Sequence, residues 1–550
     1  MRIRIQISLI VILVILCSKS YAESYYVNAK TGNDNNLGTA IQAPLKSLVG
    51  LSSLILLPGD SILLASGSTF FGSLELKDVH GSQDKAIVIG SYQTEKGSHI
   101  GKSVIDARGY LNGILLENCS YIEIENLRIT ANGGIAPQGQ IQKKQMRCGV
   151  LVKLSKRGIY EHIYLNKLRV EDVFYEEKGF IRGAKEVKTA NGSQNYGWGI
   201  RFINTTKGAL LTDVRLNNCL VKNVAHTGIK FTGGKEDQSI RNILVENNQV
   251  LETGGPGIQM SGVKNGIVRN NRVNRSGSND DSRKWGRGSG LWTWGASDVL
   301  IEKNYFLNAK GPGDSAGAHI DFNCRNIVLQ YNFSASNAGG FCEILGNNYN
   351  CAYRYNISVN DGYRIKGENG AFQEGKLFWL SGYNGKRKRR GPYNSYFYNN
   401  TMYVKKNILT KIAIDKAASG ILIANNVFYI TGESKAVLGD QYNPEKVGES
   451  NIENLIFQNN LFLKNNNWPK ELPIQDEHML IGNPDFVNAG GDQIEDYMPL
   501  HIKLIKNKGI KIHKIPNDSI GLTIGLQVKH DILGNRIEGL PDMGAIELKD

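Results

Sequence analysis

Cysteine is scarce in this chain, with seven in 550 residues. None sits in a CxxC pair near histidines, which excludes the usual zinc-ribbon and zinc-finger spacings. Cys17 falls in the N-terminal apolar run, and Cys119, Cys148, Cys219, Cys324, Cys342 and Cys351 are scattered. Cys342 and Cys351 are spaced to pair across one turn, or to stand as buried free thiols. Carboxylates are also short, with 51 Asp and Glu against 65 Lys and Arg, for a formal charge of +14. Long apolar runs are confined to Ile5–Cys17, flanked by Arg2, Arg4 and a small-residue exit at Ser20, Tyr21 and Ala22. Residues 1–22 therefore read as a secretory signal, too short to remain as a span. The expectation is a periplasmic or secreted chain starting near Glu23, with no membrane span. Without Arg2, Arg4 and Lys19 its charge is +11. Outside the cytoplasm such a surface favours acidic glycans over nucleic acid. The densest basic run, 386–390, reads as an exposed loop or as a rim contact for an anionic glycan.

Helical patterning is sparse too, and in its place one phrase recurs: a short apolar strand, an asparagine, then more apolar residues. Its copies centre on Asn218, Asn248, Asn271, Asn304, Asn332, Asn356, Asn400, Asn426 and Asn460, with gaps of mostly 23 to 34 residues. Such a period is one coil of a solenoid, and strands this short predict an all-β, single-stranded parallel β-helix of about fourteen coils. Asparagine suits the corner because it tolerates the left-handed conformation and its amide can bond from coil to coil. The chain divides into a cap over 23–60, with an amphipathic cap helix over 45–56, a solenoid over 61–480 and an irregular closing tail over 481–550. A monomer is expected.

The opening Tyr25-Tyr26-Val27, the loop from Thr31 to Gly38 and Pro58-Gly59-Asp60 resemble the start of secreted right-handed β-helix proteins of the pectate-lyase-like superfamily. The tail, with Gly482-Asn483-Pro484-Asp485-Phe486 and Pro541-Asp542-Met543-Gly544, is similar to that group's ending. The resemblance implies a right-handed solenoid and, since the superfamily holds lyases, hydrolases and non-catalytic proteins, leaves the reaction open.

A second phrase, glycine then an apolar residue, aligns Gly199, Gly228, Gly257, Gly290, His319 and Phe341. Side chains alternate across a strand, so the third position faces outward. The outward column then reads Arg201, Lys230, Gln259, Trp292, Asp321 and Glu343, joined by His226, Trp294 and His319 in the same parity. Tryptophan faces are platforms for sugar rings. Tyr363, Arg364, Lys366 and Trp379 lie in the following coil. There Arg364-Ile365-Lys366 looks like a polygalacturonase motif that grips uronate, although that family's paired aspartates and Gly-His-Gly are missing. Likewise, the strand around Lys230 looks like the one that carries the base lysine of a pectate-lyase family, but that family's calcium-binding aspartates have no counterpart here.

Two chemistries and a binding role suit this column. The first is β-elimination on an acidic glycan, by a lyase or a dehydratase-like enzyme. Arg201 or Arg364 would neutralise the uronate, Lys230, His226 or His319 would act as base and Tyr363 as acid. The second is glycoside hydrolysis by Asp321 and Glu343, with Asp314 or Glu374 as a substitute partner. Adjacent rungs would favour retention. The third is glycan binding without catalysis. Gln259, Trp292, Trp294, Lys366 and Trp379 would line the cleft in each. No metal site is marked, and calcium is a possible cofactor only through the carboxylates.

Overall fold

The computed structural model describes residues 22–94, 101–134, 146–234, 236–437, 452–472 and 474–549. Of the stretch 1–22 expected to be a secretory signal, all but Ala22 lies outside the described residues.

Three long parallel sheets wind around one core as a β-helix. The first has fourteen strands, from Ser24–Val27 to Leu455–Gln458. The second has twelve, from Leu74–Lys77 to Ser434–Ala436, and the third fourteen, from Thr69–Phe71 to Leu480–Ile481. At about 4.8 Å per step, fourteen strands make a rod of about 65 Å. Alternation buries one face of each strand, and the core stacks like on like. Phe202 and Phe231, for example, lie 4.7 Å apart and 7° from parallel.

The corner asparagines form a ladder. The side-chain amide and backbone N–H of Asn271 both donate to Asn304 Oδ1 at 2.9 Å, and the amide also donates to Val245 O in the coil behind. The same pattern runs through Asn248, Asn304, Asn332, Asn356, Asn400, Asn426 and Asn460. Asp476 ends it, its carboxylate accepting from Asn459 and Asn460. The corner differs in two ways from the one expected. The left-handed residue is the one before the ladder asparagine, as at Asn247, Asn270, Lys303, Tyr331 and Tyr355. Asn218 is one of these left-handed residues, and Cys219 fills the ladder position, its N–H donating to Asn248 Oδ1 at 2.9 Å.

The cap helix expected over 45–56 shrinks to one 3-10 turn, Val49–Ser53, whose Leu51 joins Leu45 and Leu48 over the core. A segment bounded by Pro44 and Pro58 and interrupted by Gly50 is too short on either side of that glycine to sustain an α-helix. The first strand already lies at Ser24–Val27, pairing with Ser61–Ala65, so the opening segment contributes a coil as well as a lid. The tail after Gly482 doubles back along the rod. Phe486, Tyr497, Ile505 and Met543 pack on Phe333, Ile357 and Val427 outside the third sheet. Ile512, Ile515 and Leu522 pack on Tyr355, Tyr396 and Leu422 outside the first. The six described cysteines are buried free thiols, Cys342 and Cys351 included. No described helix is long and apolar enough to cross a membrane.

Candidate active site

The second sheet, left bare by the tail, carries the column. Its glycines are there because coils approach closely: a Cβ on Gly228 would lie 2.5 Å from Val250 Cγ1 and 2.8 Å from Gly257 O. Register pairs Arg201 with Lys230, Lys230 with Gln259, Gln259 with Trp292, and Trp292 with His319. Ile320 pairs with Ile344, which sets His319 beside Glu343, and Glu343 pairs with Trp379. The column therefore contains His319 where the sequence alignment had Asp321. Gly317, followed by the small Ala318, occupies the glycine slot given to His319. Asp321 lies two residues further along, level with Trp294. Two residues along and one strand across separate the Asp321 and Glu343 backbones by about 8 Å. The adjacency that favoured retention is absent.

These side chains surround one cavity of about 440 Å³. Its floor and walls include Arg201, Lys230, Gln259, Trp292, Trp294, His319, Asp321, Glu343 and Trp379, together with Asp314, Arg287 and Tyr383. Buried indole N–H groups of Trp292 and Trp379 have no acceptor among the described residues.

Three carboxyl groups share this space under different conditions. Burial pushes Asp321 up to about 7, with the charges of Asp314 and Glu343 adding and His319 opposing. Burial pushes Glu343 up to about 8, Asp314 again adding while Lys376 and Arg364 oppose. Asp314 is buried as well, which alone would raise it, yet Arg287 holds it below the usual range. Arg287 donates to both its oxygens, Nε at 2.7 Å and Nη2 at 3.0 Å. The Asp314 N–H donates to Gln373 Oε1, and Asp314 and Ser315 are both left-handed, at φ 50° and 69°. Two successive non-glycine residues in that region mark a loop held by its surroundings. His319 is buried, which keeps it below its ordinary value, and Ser289 Oγ lies 3.0 Å from its Nδ1. Tyr353, inside the core, braces the strand backbones, donating to Ala318 O and Glu343 O.

Other predicted site residues lie elsewhere. His226 is stacked between Trp198 at 3.9 Å and Trp285 at 4.5 Å, fully buried and held well below its ordinary pKa by burial and then Lys230. An imidazole packed between two indoles has no path to a substrate. Arg364 donates to the carbonyls of Gln373, Gly311 and Asp314, buttressing the Asp314 loop from behind. Tyr363 faces a separate groove with Arg275, Lys310 and Lys405. Lys366 is exposed, its N–H directed at Glu374, whose carboxylate pairs with Lys411 at 2.9 Å. In the basic run, Lys386, Arg387, Lys388 and Arg390 are exposed, and Arg389 pairs with Asp415.

Arg287, Gln373, Ser289, Tyr353 and Trp198 were missed, because each acts across coils that only the register brings together. Asp314 was visible only as a substitute partner, seven residues before Asp321 on the loop into the same strand. Among the described residues no three metal-binding side chains converge.

Residues 198–373, the stretch holding almost all of this site, match the family model for a right-handed β-helix region. A lacto-N-biosidase from Bifidobacterium longum is 24% identical over 96% of this chain, which spans only 36% of that relative's length. The crystal structure of a GH136 lacto-N-biosidase from Eubacterium ramulus is 21% identical, covers 79% of this chain and 68% of its own, and has a TM-score of 0.49. The complex of XylC with xylose, 12% identical, covers 96% of this chain and 98% of its own at a TM-score of 0.51. Together with the sheet topology, the family match and the XylC shape make this chain a right-handed parallel β-helix.

Proposed function

We propose that the chain is a carbohydrate-active enzyme, a glycoside hydrolase acting outside the cytoplasm. Asp321 is the general acid and Asp314 the ionised partner that acts as nucleophile or as base. The observation that carries this reading is the split in one tryptophan-walled cavity: Asp321 is pushed up to about 7 while Arg287 keeps Asp314 charged. Two carboxyl groups driven apart by their surroundings are the acid and base assignment that glycosidic cleavage needs. Glu343, also kept protonated by burial, is placed to hydrogen-bond a sugar hydroxyl. The sequence relative supports the reading, since its name is that of a glycosidase.

Elimination fits the site less well. It needs a cation against the substrate carboxylate beside the base. Arg364 spends its donors on backbone carbonyls, and Arg201 and Lys230 lie three or four rungs from His319.

The test is a panel of oligosaccharides and aryl glycosides, an aryl lacto-N-bioside included, assayed by reducing-end release and by the ultraviolet absorbance of unsaturated uronate. Asp321→Asn and Asp314→Asn should each lose about 10²–10⁴-fold in kcat/KM. Proton NMR of the first-formed anomer then separates retention from inversion. Unsaturated products, or full turnover in both variants, would overturn the assignment.

A further inference from the structure

One end of the cleft is built from groups that hydrolysis does not use. Arg201 and Lys230 stand on adjacent rungs, about 4.8 Å apart in backbone. Both lie against one indole: the guanidinium is 4.3 Å and the ammonium 4.8 Å from the centroid of Trp198. Two like charges on one ring, in a cavity wall, repel each other, and burial disfavours each. Arg201 donates to Met146 Sδ at 2.9 Å, a weak acceptor, and its buried Nε has no acceptor among the described residues. Two more buried polar atoms lining the same end have no partner among the described residues, Thr232 Oγ1 and Gln259 Oε1. The Gln259 amide donates to Ser261 Oγ at 3.1 Å, which fixes its carbonyl as a vacant acceptor.

We infer that this end is a subsite for a negatively charged sugar, a uronate or a sulfated residue, held several rungs from the bond that is cleaved. The anion accepts from Arg201 and Lys230, and a ring hydroxyl donates to Gln259 Oε1, so one ligand meets the buried guanidinium and the vacant acceptor together. An inorganic anion offers no such hydroxyl, and a neutral sugar brings no counter-charge to Arg201 and Lys230. The charge belongs at this end alone. From the Lys230 rung to the His319 rung is three steps, about 14 Å, and the far end holds the ionised Asp314, which would repel a second anion, beside the protonated Asp321 and Glu343. Trp292, between the two ends, offers a face for an intervening ring.

This inference rests on the cleft being the glycan site proposed above, and the test separates the two. Binding of glucuronate, glucose 6-sulfate and glucose to the full chain is measured by titration calorimetry or ligand-observed NMR. The parent is compared with Arg201→Gln, Lys230→Gln and, as a control for the general basic surface, the double variant Lys386→Ala/Arg387→Ala. At least one charged sugar should bind 10-fold or more tighter than glucose. That preference should fall with added salt, vanish in Arg201→Gln and in Lys230→Gln, and persist in the control. Which of the two sugars is preferred identifies the anion. If one cleft variant fails to fold, the other carries the test alone. Equal binding of all three sugars by the parent, or a preference that survives the cleft variants, overturns the inference. Turnover of neutral glycans without any charge preference would leave the hydrolase standing and remove the subsite. A charge preference with no turnover of any glycan would do the reverse.

Discussion

Asp321 and Glu343 tie activity and stability to pH in the same direction. With Asp321 as the acid, kcat/KM should decline as pH rises through about 7, while Asp314, held low by Arg287, places the acid limb well below neutrality. Stability follows from the same shifts. Ordinary carboxyl groups lose their proton near 4, so in the folded state Asp321 and Glu343 hold protons that the unfolded chain has already released. Their stabilising contribution is complete below about 4 and is lost as pH rises to 7 and 8. The melting temperature should therefore fall between pH 5.5 and 8.5, and the fall should be visibly shallower in Asp321→Asn/Glu343→Gln. An unchanged slope in that variant would show that other groups govern the profile. At this scale the sequence was readable where chemistry is intrinsic to the residue, as for the tryptophans and the two carboxyl groups. It was opaque where chemistry is conferred by a neighbour: nothing near Asp314 in the chain announces Arg287, and nothing near His226 announces the two indoles that remove it from play.

The ladder belongs to the scale of the strand and its corner. Replacing Asn304 with Ala strands the N–H groups of Asn271 and leaves Val268 O without its donor, at a cost of about 1–3 kcal/mol for the buried groups. Urea unfolding should show a lower midpoint with an unchanged slope, and unaltered kinetics in the folded protein would separate this from any effect on the site. Periodicity made the ladder legible because each asparagine repeats the same contact. It did not reveal which of two consecutive residues turns the corner, since left-handed backbone is shared among Asn, Lys and Tyr here and only geometry distinguishes them. The slip at His319 has a similar origin. A glycine followed by alanine leaves too faint a signature to hold the count, and one misassigned slot moved Asp321 into a place that His319 occupies.

For the molecule as a whole, the tail is a strap rather than a plug. Ending the chain before Gly482 would expose the apolar outer faces that Phe486, Tyr497, Ile512 and Met543 now cover. Such a truncation should aggregate or melt well below the parent, whereas a tail that merely closed the last coil would leave the earlier coils intact. The proposed role outside the cytoplasm predicts that mass spectrometry of the mature protein finds its first residue near Glu23. Composition announced the tail's irregularity but not its path, because its partners lie 100 residues and more away: Asn350 with Asp518, Tyr331 with His530, Asn399 with Asp542.

Because the cleft is assembled one rung per coil, it works as a graduated scale. Its length changes only in steps of about 4.8 Å, so inserting or deleting one whole coil between Lys230 and His319 would move the cations relative to the carboxyl groups by that increment and leave each end chemically intact. Under the proposed function, the preferred length of glycan would then shift in discrete jumps, set by how many coils the protein has rather than by which side chains they carry.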